Sequence, residues 1–205
     1  AIKSSGVTAV DITTDAAVLS VSEATGMTLT TSSSGSVKVQ DTGTKVDAGI
    51  AAIKSSGVTA VDITTDAAVL SVSEATGMTL TTSSSGSVKV QDTGTNLQGK
   101  LAAMNTAGVT IIDVTSNALA ASVADLSAFT LTTSSGGSIT VQDTGTKVDA
   151  GIAAIKSAGV TAVDITTDAA VLSVSEATGM TLTTSSSGSV KVQDTGTNLQ
   201  GKLAA

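Results

Sequence analysis

The chain has 205 residues, and its ten lysines stand against seventeen aspartates and glutamates, which gives a formal net charge of -7 at pH 7. Such an acidic balance disfavours nucleic acids and anionic lipid surfaces, so we expect no nucleic-acid binding and no membrane insertion. Cysteine and histidine are absent. Disulfides, thiolate sites and the commonest general base are therefore excluded, and we expect neither an enzyme nor a catalytic residue.

The apolar content is ordinary in amount but unusual in kind. Hydrophobic residues make up 40% of the chain, yet Phe129 is its one aromatic residue. A core of Ala, Val, Ile and Leu is thin, and thin cores suit stacked repeats better than a single globule. The acidic composition, rich in Ser, Thr and Gly, is common among bacterial surface and secreted proteins, so we expect an extracellular location.

An internal repeat organises the whole chain. The tetrapeptide Asp-Thr-Gly-Thr begins at Asp41, Asp92, Asp143 and Asp194, so every spacing is 51 residues. We divide the chain into a partial repeat 1–40, repeats 41–91 and 143–193, a diverged repeat 92–142 and a partial repeat 194–205. Ala1 and Ala205 occupy equivalent positions, in the middle of a predicted helix, so we expect a longer array to continue past both.

The first predicted elements of a period are a helix and a strand. In the diverged repeat, Leu97, Leu101 and Met104 follow the i, i+4, i+7 spacing of a helix face, which predicts a helix over 96–106. Asp92 or Thr95 is the expected N-cap, and Gly108 is the expected left-handed residue at the C-terminal end. The β-branched run 109–114 predicts a strand.

The second half of the period is predicted to begin with another helix. Ser116 or Asn117 is its expected N-cap, and Leu119, Val123 and Leu126 repeat the helical spacing. In the near-identical repeats the matching stretch 67–74 fits either a helix or an alternating strand. A strand at 129–132, a turn at 134–137 and a strand at 139–141 complete the period.

These elements predict an α/β fold, namely a repeat solenoid of parallel strands and short helices with a 51-residue period. The two helix–strand halves resemble each other. We therefore expect each period to be a double unit of about 25 residues per half, near the coil length of α/β solenoids.

Aspartates offer the best candidates for chemistry. The tetrapeptide carboxylates (Asp41, Asp92, Asp143, Asp194) are weak calcium candidates, because a turn followed by a helix N-cap is the favoured explanation for them; we expect no other cofactor. A second column, Asp11, Asp62, Asp113 and Asp164, is predicted to form a ladder of like charges if the strands stack in register. We expect these side chains to face water rather than to hold a cation between them.

Two further columns are hydroxyl-bearing. The Thr-x-Thr pairs that recur from Thr28 and Thr30 onward fit a solvated strand face, and an ice-binding array is the alternative. The serine-rich stretch 32–36 is predicted to be a solvated turn, since no histidine exists to activate a serine nucleophile.

The segment 90–104, Val-Gln-Asp-Thr-Gly-Thr-Asn-Leu-Gln-Gly-Lys-Leu-Ala-Ala-Met, and the run that starts at Val109 carry a resemblance. They resemble repeats in giant secreted or cell-surface proteins of Gram-negative bacteria, the RTX-like adhesins or hemolysin-type proteins. The glycine-rich calcium nonapeptides of that family are missing here. The resemblance implies export and display, with the array acting as a stalk or fibre.

Three functions follow as expectations. The first is an extracellular structural array that forms a rod, stalk or filament, with neighbouring repeats or end-to-end copies of the same chain as partners. The second is an adhesive module that presents Lys, Asp and Thr columns to a cell-surface glycan or partner cell, although Thr140 interrupts the column of Lys38, Lys89 and Lys191. The third is an S-layer or sheath protein.

Overall fold

A computed structural model describes residues 2–203. The predicted mid-helix position of Ala1 and Ala205 lies outside these residues. The predicted fold class is confirmed: parallel strands and short helices recur with a period of about 51 residues, as in an α/β repeat solenoid.

The strands are β1 Ala9–Ile12, β2 Ala16–Leu19, β3 Thr28–Thr31, β4 Ser36–Asp41, β5 Ala60–Ile63, β6 Ala67–Leu70, β7 Thr79–Thr82, β8 Ser87–Asp92, β9 Ile111–Val114, β10 Ala118–Ala121, β11 Thr130–Thr133, β12 Ser138–Asp143, β13 Ala162–Ile165, β14 Ala169–Leu172, β15 Thr181–Thr184 and β16 Ser189–Val192. The helices are α1 Val21–Ala24, α2 Gly43–Ser55, α3 Val72–Ala75, α4 Gly94–Leu97, α5 Leu101–Ala107, α6 Asp125–Ala128, α7 Gly145–Ser157, α8 Val174–Ala177 and α9 Gly196–Leu199, and a 3-10 turn covers Ile2–Ser5.

Two compact units divide these elements. The first contains the chain up to Asp92 together with Gly99–Asp113, and the second contains Thr93–Gln98 and everything from Val114 onward. In the first unit, β1 pairs with β3, the order β2-β4-β5-β7 forms a second sheet, and β6, β8 and β9 are neighbours in a third. In the second unit, β10-β12-β13-β15 forms one sheet and β14-β16 another.

The strand register shows how long one coil is. Partners on neighbouring strands are 19, 20 or 22 residues apart, as in Ala9 with Thr28, Ala16 with Ser36, and Lys38 with Ala60. A 51-residue period therefore contains about two and a half coils. The predicted double unit of about 25 residues is wrong, because the repeat of the sequence and the turn of the solenoid have different lengths.

The half coil changes the neighbours of equivalent strands. β1 is an edge strand that pairs with β3, whereas β5, its equivalent one period later, lies between β4 and β7. The long helix α2 connects β4 to β5, which are parallel, hydrogen-bonded neighbours. Equivalent residues of successive periods consequently lie in different sheets rather than in one vertical column.

The first predicted helix is continuous in two repeats, as α2 and α7, but it is interrupted in the diverged repeat, and its N-cap differs from the prediction. Thr42 is the N-cap of α2, and its hydroxyl accepts a hydrogen bond from the Lys45 N–H; the diverged repeat uses Thr93 in the same way, not Asp92 or Thr95. In that repeat the helix breaks into α4 and α5 around Gly99, which has a φ of +73°. Gly108 ends α5 with a φ of +89°, as predicted.

The second predicted helix is wrong. Ala118–Ala121 is strand β10, with Leu119 and Ala121 buried, and Asn117 lies in the preceding turn with a φ of +60° rather than capping a helix. The ambiguous stretch 67–74 is likewise strand β6 followed by the single helical turn α3. In the diverged repeat the predicted second helix is reduced to the single turn α6, and the predicted strands and the turn at 134–137 follow it.

The long helices supply the core. In the second unit, Val148, Ile152 and Ile155 of α7 belong to one buried cluster with residues of β12, β13 and β14. In the first unit, Val46, Ile50 and Ile53 of α2 are at most 1% exposed. The i, i+4, i+7 face predicted from the sequence therefore packs inward between strands.

Replacing Ile53 tests this packing, and the chain provides its own control. Ile53→Ala removes a fully buried side chain, so we expect the free energy of unfolding to fall by about 2–5 kcal/mol. Ile2 occupies the equivalent position in the first repeat but is 57% exposed. We expect Ile2→Ala to change the stability of the dilute protein little. Equal losses in urea unfolding of the two variants would contradict this packing.

Candidate functional site

The carboxylates of the Asp-Thr-Gly-Thr column join one coil to the next. Asp41 Oδ2 accepts a hydrogen bond from the Val21 N–H at 3.1 Å, at the N-terminus of α1. Asp41 Oδ1 accepts from the Thr42 N–H at 2.9 Å and lies 3.0 Å from Lys45 Nζ. Burial raises the pKa of Asp41, but the bonds from Thr42 and Lys45 outweigh it and hold the pKa below its ordinary value.

The same arrangement recurs along the chain. Asp143 accepts from the Val123 and Thr144 N–H groups at 3.2 and 2.9 Å, and lies 3.2 Å from Lys147 Nζ. Asp92 and Asp194 each accept from the first residue of a short helix, Val72 or Val174, at 3.0 Å. These carboxylates do not cap the helix that follows them, because a threonine is the N-cap there, and they accept instead at the N-terminus of a short helix in the preceding coil.

Calcium at these carboxylates stays a prediction. Within residues 2–203 there is no group of three or more acidic side chains placed to hold a metal ion. At Asp41 a lysine ammonium already stands beside Oδ1, and a divalent cation there would have to displace it.

The second aspartate column does not form a ladder. Asp62 is opposite Gln40 on one side and Thr81 on the other, and Asp164 is likewise between Gln142 and Thr183. Because equivalent residues lie in different sheets, no two of these aspartates are register partners in the pairings of either unit. The like-charge repulsion expected from stacking in register is thereby avoided.

The expectation that this column faces water is also wrong for its interior members. Asp62 and Asp113 are 5% and 3% exposed. Asp62 Oδ2 accepts from Gln40 Nε2 at 2.7 Å and from Ser83 Oγ at 3.1 Å, and lies 3.5 Å from Lys38 Nζ. Burial raises the pKa of Asp62, but these contacts together lower the pKa below its ordinary value, and the hydrogen bond from Gln40 is the largest of them.

A third acidic column was not predicted. Asp66 accepts hydrogen bonds from the Gly43 and Thr44 N–H groups at 3.1 and 2.9 Å, and from the Thr44 hydroxyl. These groups lie at the N-terminus of α2, so Asp66 caps a helix that precedes it by more than twenty residues. The bonds from Thr44, first from its hydroxyl, lower the pKa of Asp66.

Asp168 repeats this contact at α7, where it accepts from the Gly145 N–H at 2.6 Å, and the hydroxyl of Thr146 lowers its pKa. Asn117 takes the position in the diverged repeat and donates to Thr95 Oγ1 at 3.3 Å. All three residues have a positive φ. The sequence signal that could have predicted this turn is the recurring Asp or Asn after a β-branched run. Apart from glycine, these two residues tolerate a left-handed backbone best.

Lysines donate hydrogen bonds to the C-terminal carbonyls of short helices. Lys54 Nζ donates to the carbonyls of Ser73, Glu74 and Thr76, at the C-terminus of α3, at 2.8–3.2 Å. Lys156 makes the same three contacts at α8. A cation at this end complements the helix dipole. The four-residue helix α3 is thus held at its N-terminus by Asp92 of the following coil and at its C-terminus by Lys54 of the preceding coil.

The recurring threonines, serines and lysines also make contacts within the fold or lie in turns. Thr81 Oγ1 donates to the Val61 carbonyl at 3.3 Å, and the Thr-x-Thr pairs of β3 and β7, both in the first unit, lie in different sheets. Ser33 lies in the predicted turn with a φ of +53°. Lys38 and Lys89 face Asp62 and Asp113 rather than a shared binding surface.

No known protein family, curated protein or solved structure matches this chain. Among residues 2–203, no helix has both the length and the apolar character needed to cross a membrane.

The capping carboxylates predict a loss of stability in acid. The folded pKa values of Asp41, Asp66, Asp168 and Asp194 are lowered, so these carboxylates stabilise the fold above the ordinary aspartate pKa of about 4. That contribution is lost as the pH falls through about 4 and then through the lower folded values. We expect the free energy of unfolding, measured in urea between pH 6 and about 2, to fall over this window.

The double variant Asp66→Asn, Asp168→Asn is the matched test, since Asn117 shows that asparagine fits the turn. We expect a shallower dependence of stability on pH below about 4 than in the wild type, because two of the titrating caps are gone. Identical pH profiles for the two proteins would show that these carboxylates are not coupled to folding.

Proposed function

We propose that this chain is an extracellular structural repeat array that forms the rod, stalk or filament of a bacterial surface or secreted protein. The observation that carries the proposal is the use of the recurring charged side chains. Asp41, Asp66 and Lys54 contact a neighbouring coil at a helix terminus, and Asp143, Asp168 and Lys156 repeat these contacts two periods later. Charged side chains that join adjacent coils support an array that can be lengthened. Each added period is stabilised by contacts with its neighbours alone.

The acidic composition and the resemblance to repeats of RTX-like adhesins and hemolysin-type proteins support export and display. An adhesive module for a glycan or partner cell is the second candidate. It is less favoured because sugar rings stack on aromatic side chains, and Phe129 is only 6% exposed. An S-layer or sheath protein shares the same composition and differs in forming a lattice.

Chains of increasing length test the structural role. We expect the maximum dimension from small-angle X-ray scattering to grow linearly as pairs of periods are added. At a strand spacing of about 4.8 Å, two and a half coils add roughly 12 Å per period. Growth with the cube root of chain length would contradict a rod. A two-dimensional lattice in micrographs would favour the S-layer, and glycan-array binding would favour the adhesive module.

A further inference from the structure

One column of residues with a left-handed backbone consists of serines. Apart from glycine, the residues of 2–203 with a positive φ are four aspartates or asparagines and four serines, which have φ values of +52° to +53°: Ser33, Ser84, Ser135 and Ser186. Turns that need a positive φ are dominated by glycine, asparagine and aspartate, because other side chains are strained there. Serine is therefore an unfavourable residue for this backbone, and it recurs in every period.

The serine hydroxyls of this column are not used by the fold. At the other left-handed column the side chains make contacts, since Asp66 caps α2 and Asn117 donates to Thr95. Within residues 2–203 none of the four serine hydroxyls makes a hydrogen bond, and all four residues are exposed. The preceding residue differs, because the hydroxyl of Ser83 donates to Asp62 at 3.1 Å. Packing and hydrogen bonding thus give no reason for a hydroxyl at Ser84.

The diverged repeat keeps this hydroxyl although the turn around it changes. Ser85 is replaced there by Gly136, which has a φ of +93°, whereas the residue before it remains a serine, Ser135. Elsewhere in the same repeat all five residues of 96–100 differ from those of 45–49. A strained residue that is kept without a contact in the fold indicates a requirement outside the fold.

The turn presents the hydroxyl at its tip. The Gly86 N–H donates to the Ser83 carbonyl at 3.1 Å and closes the turn, and the Ser87 N–H donates to the Asp66 carbonyl of a neighbouring coil at 3.1 Å. Ser84 lies between these anchors and is followed by the exposed Ser85. An exposed loop on a hydrogen-bonded scaffold is a common place for functional residues, and an enzyme can reach the hydroxyl there.

The charges near the turn favour an uncharged group on the hydroxyl. Ser83 contacts the buried carboxylate of Asp62, and Lys38, at 3.5 Å, already pairs with that carboxylate. A phosphate on Ser84 would add about two negative charges beside this acidic group, in a chain whose net charge is already -7. A neutral sugar adds hydroxyl groups at this position without electrostatic repulsion.

We propose that Ser84 and its equivalents are O-glycosylation sites, each of which carries a neutral sugar on Oγ. The serine Oγ forms a bond to the anomeric carbon of a sugar donor that is activated by a nucleotide diphosphate or a lipid diphosphate. The bond from that carbon to the phosphate oxygen breaks, the oxygen keeps the electron pair, and the hydroxyl proton passes to a base of the transferase. The inference goes beyond the proposed structural function and does not depend on it, because a turn can be modified on a rod or on a compact chain.

The stability of the unmodified recombinant protein tests whether the fold needs the hydroxyl. Ser84→Asn introduces a side chain that tolerates the left-handed backbone and removes no contact, so the urea midpoint should stay the same or rise. Asp66→Gly is the matched control at another left-handed position. Glycine accepts that backbone but cannot cap α2, so the midpoint should fall. A lower midpoint for Ser84→Asn would show that the serine serves the fold and would overturn the inference.

Peptide mapping of the protein isolated from the cells that produce it tests the modification itself. Cleavage after lysine releases the peptide 101–147, which has no copy elsewhere in the chain. Mass spectrometry should show this peptide heavier by one or more sugar units, with fragment ions that place the sugar on Ser135. In the same cells Ser135→Asn should remove the sugar, whereas Thr133→Val, which deletes a neighbouring exposed hydroxyl, should leave it in place. An unmodified peptide, a phosphate, or a sugar on another residue would overturn the proposal and leave the structural function standing.

Discussion

Parallel strand pairing every 19 to 22 residues is the constraint on which the rest of this structure depends. It sets a coil that does not divide the 51-residue period evenly. The long helix α2 is inserted between the neighbouring strands β4 and β5. Each new period consequently begins half a coil out of step with the one before.

A coil shorter than the period resolves a problem of charge. A solenoid whose period equals one coil places identical residues opposite each other on neighbouring strands, and a column of aspartates would then repel itself. Here Asp62 meets Gln40, Ser83 and Lys38 instead. Near-identical repeats are thus compatible with buried acidic groups, because the neighbours of each aspartate come from a different part of the period.

Helix termini show where the acidic residues contribute most. Parallel strands bond to one another through their backbones, but helices of four residues leave most of their terminal groups unsatisfied. Asp41 satisfies the first N–H of α1, and Lys54 satisfies the last carbonyls of α3. The side chains that a search for chemistry selects first are therefore those that hold one coil to the next.

The fold class and the long helix follow from local signals, since Val46, Ile50 and Ile53 repeat at helical spacing and Gly108 marks an end. Strand β10 does not, because Leu119, Val123 and Leu126 imitate a helix face while only Leu119 and Ala121 alternate inward. The cap at Asp66 joins residues 22 and 23 positions apart, and such a contact depends on the coil length. Coil length is a property of strand pairing, and the sequence period does not reveal it.

Disulfide trapping tests the coil length directly, because the chain has no native cysteine. Lys38 and Ala60 are register partners, so a Lys38→Cys, Ala60→Cys variant should oxidise readily to an intramolecular disulfide. Ala9 and Ala60 are equivalent residues of successive periods, so Ala9→Cys, Ala60→Cys should remain reduced within one chain under the same conditions. Ready cross-linking of the second pair, and none of the first, would show that whole periods stack in register and would contradict the half-coil offset.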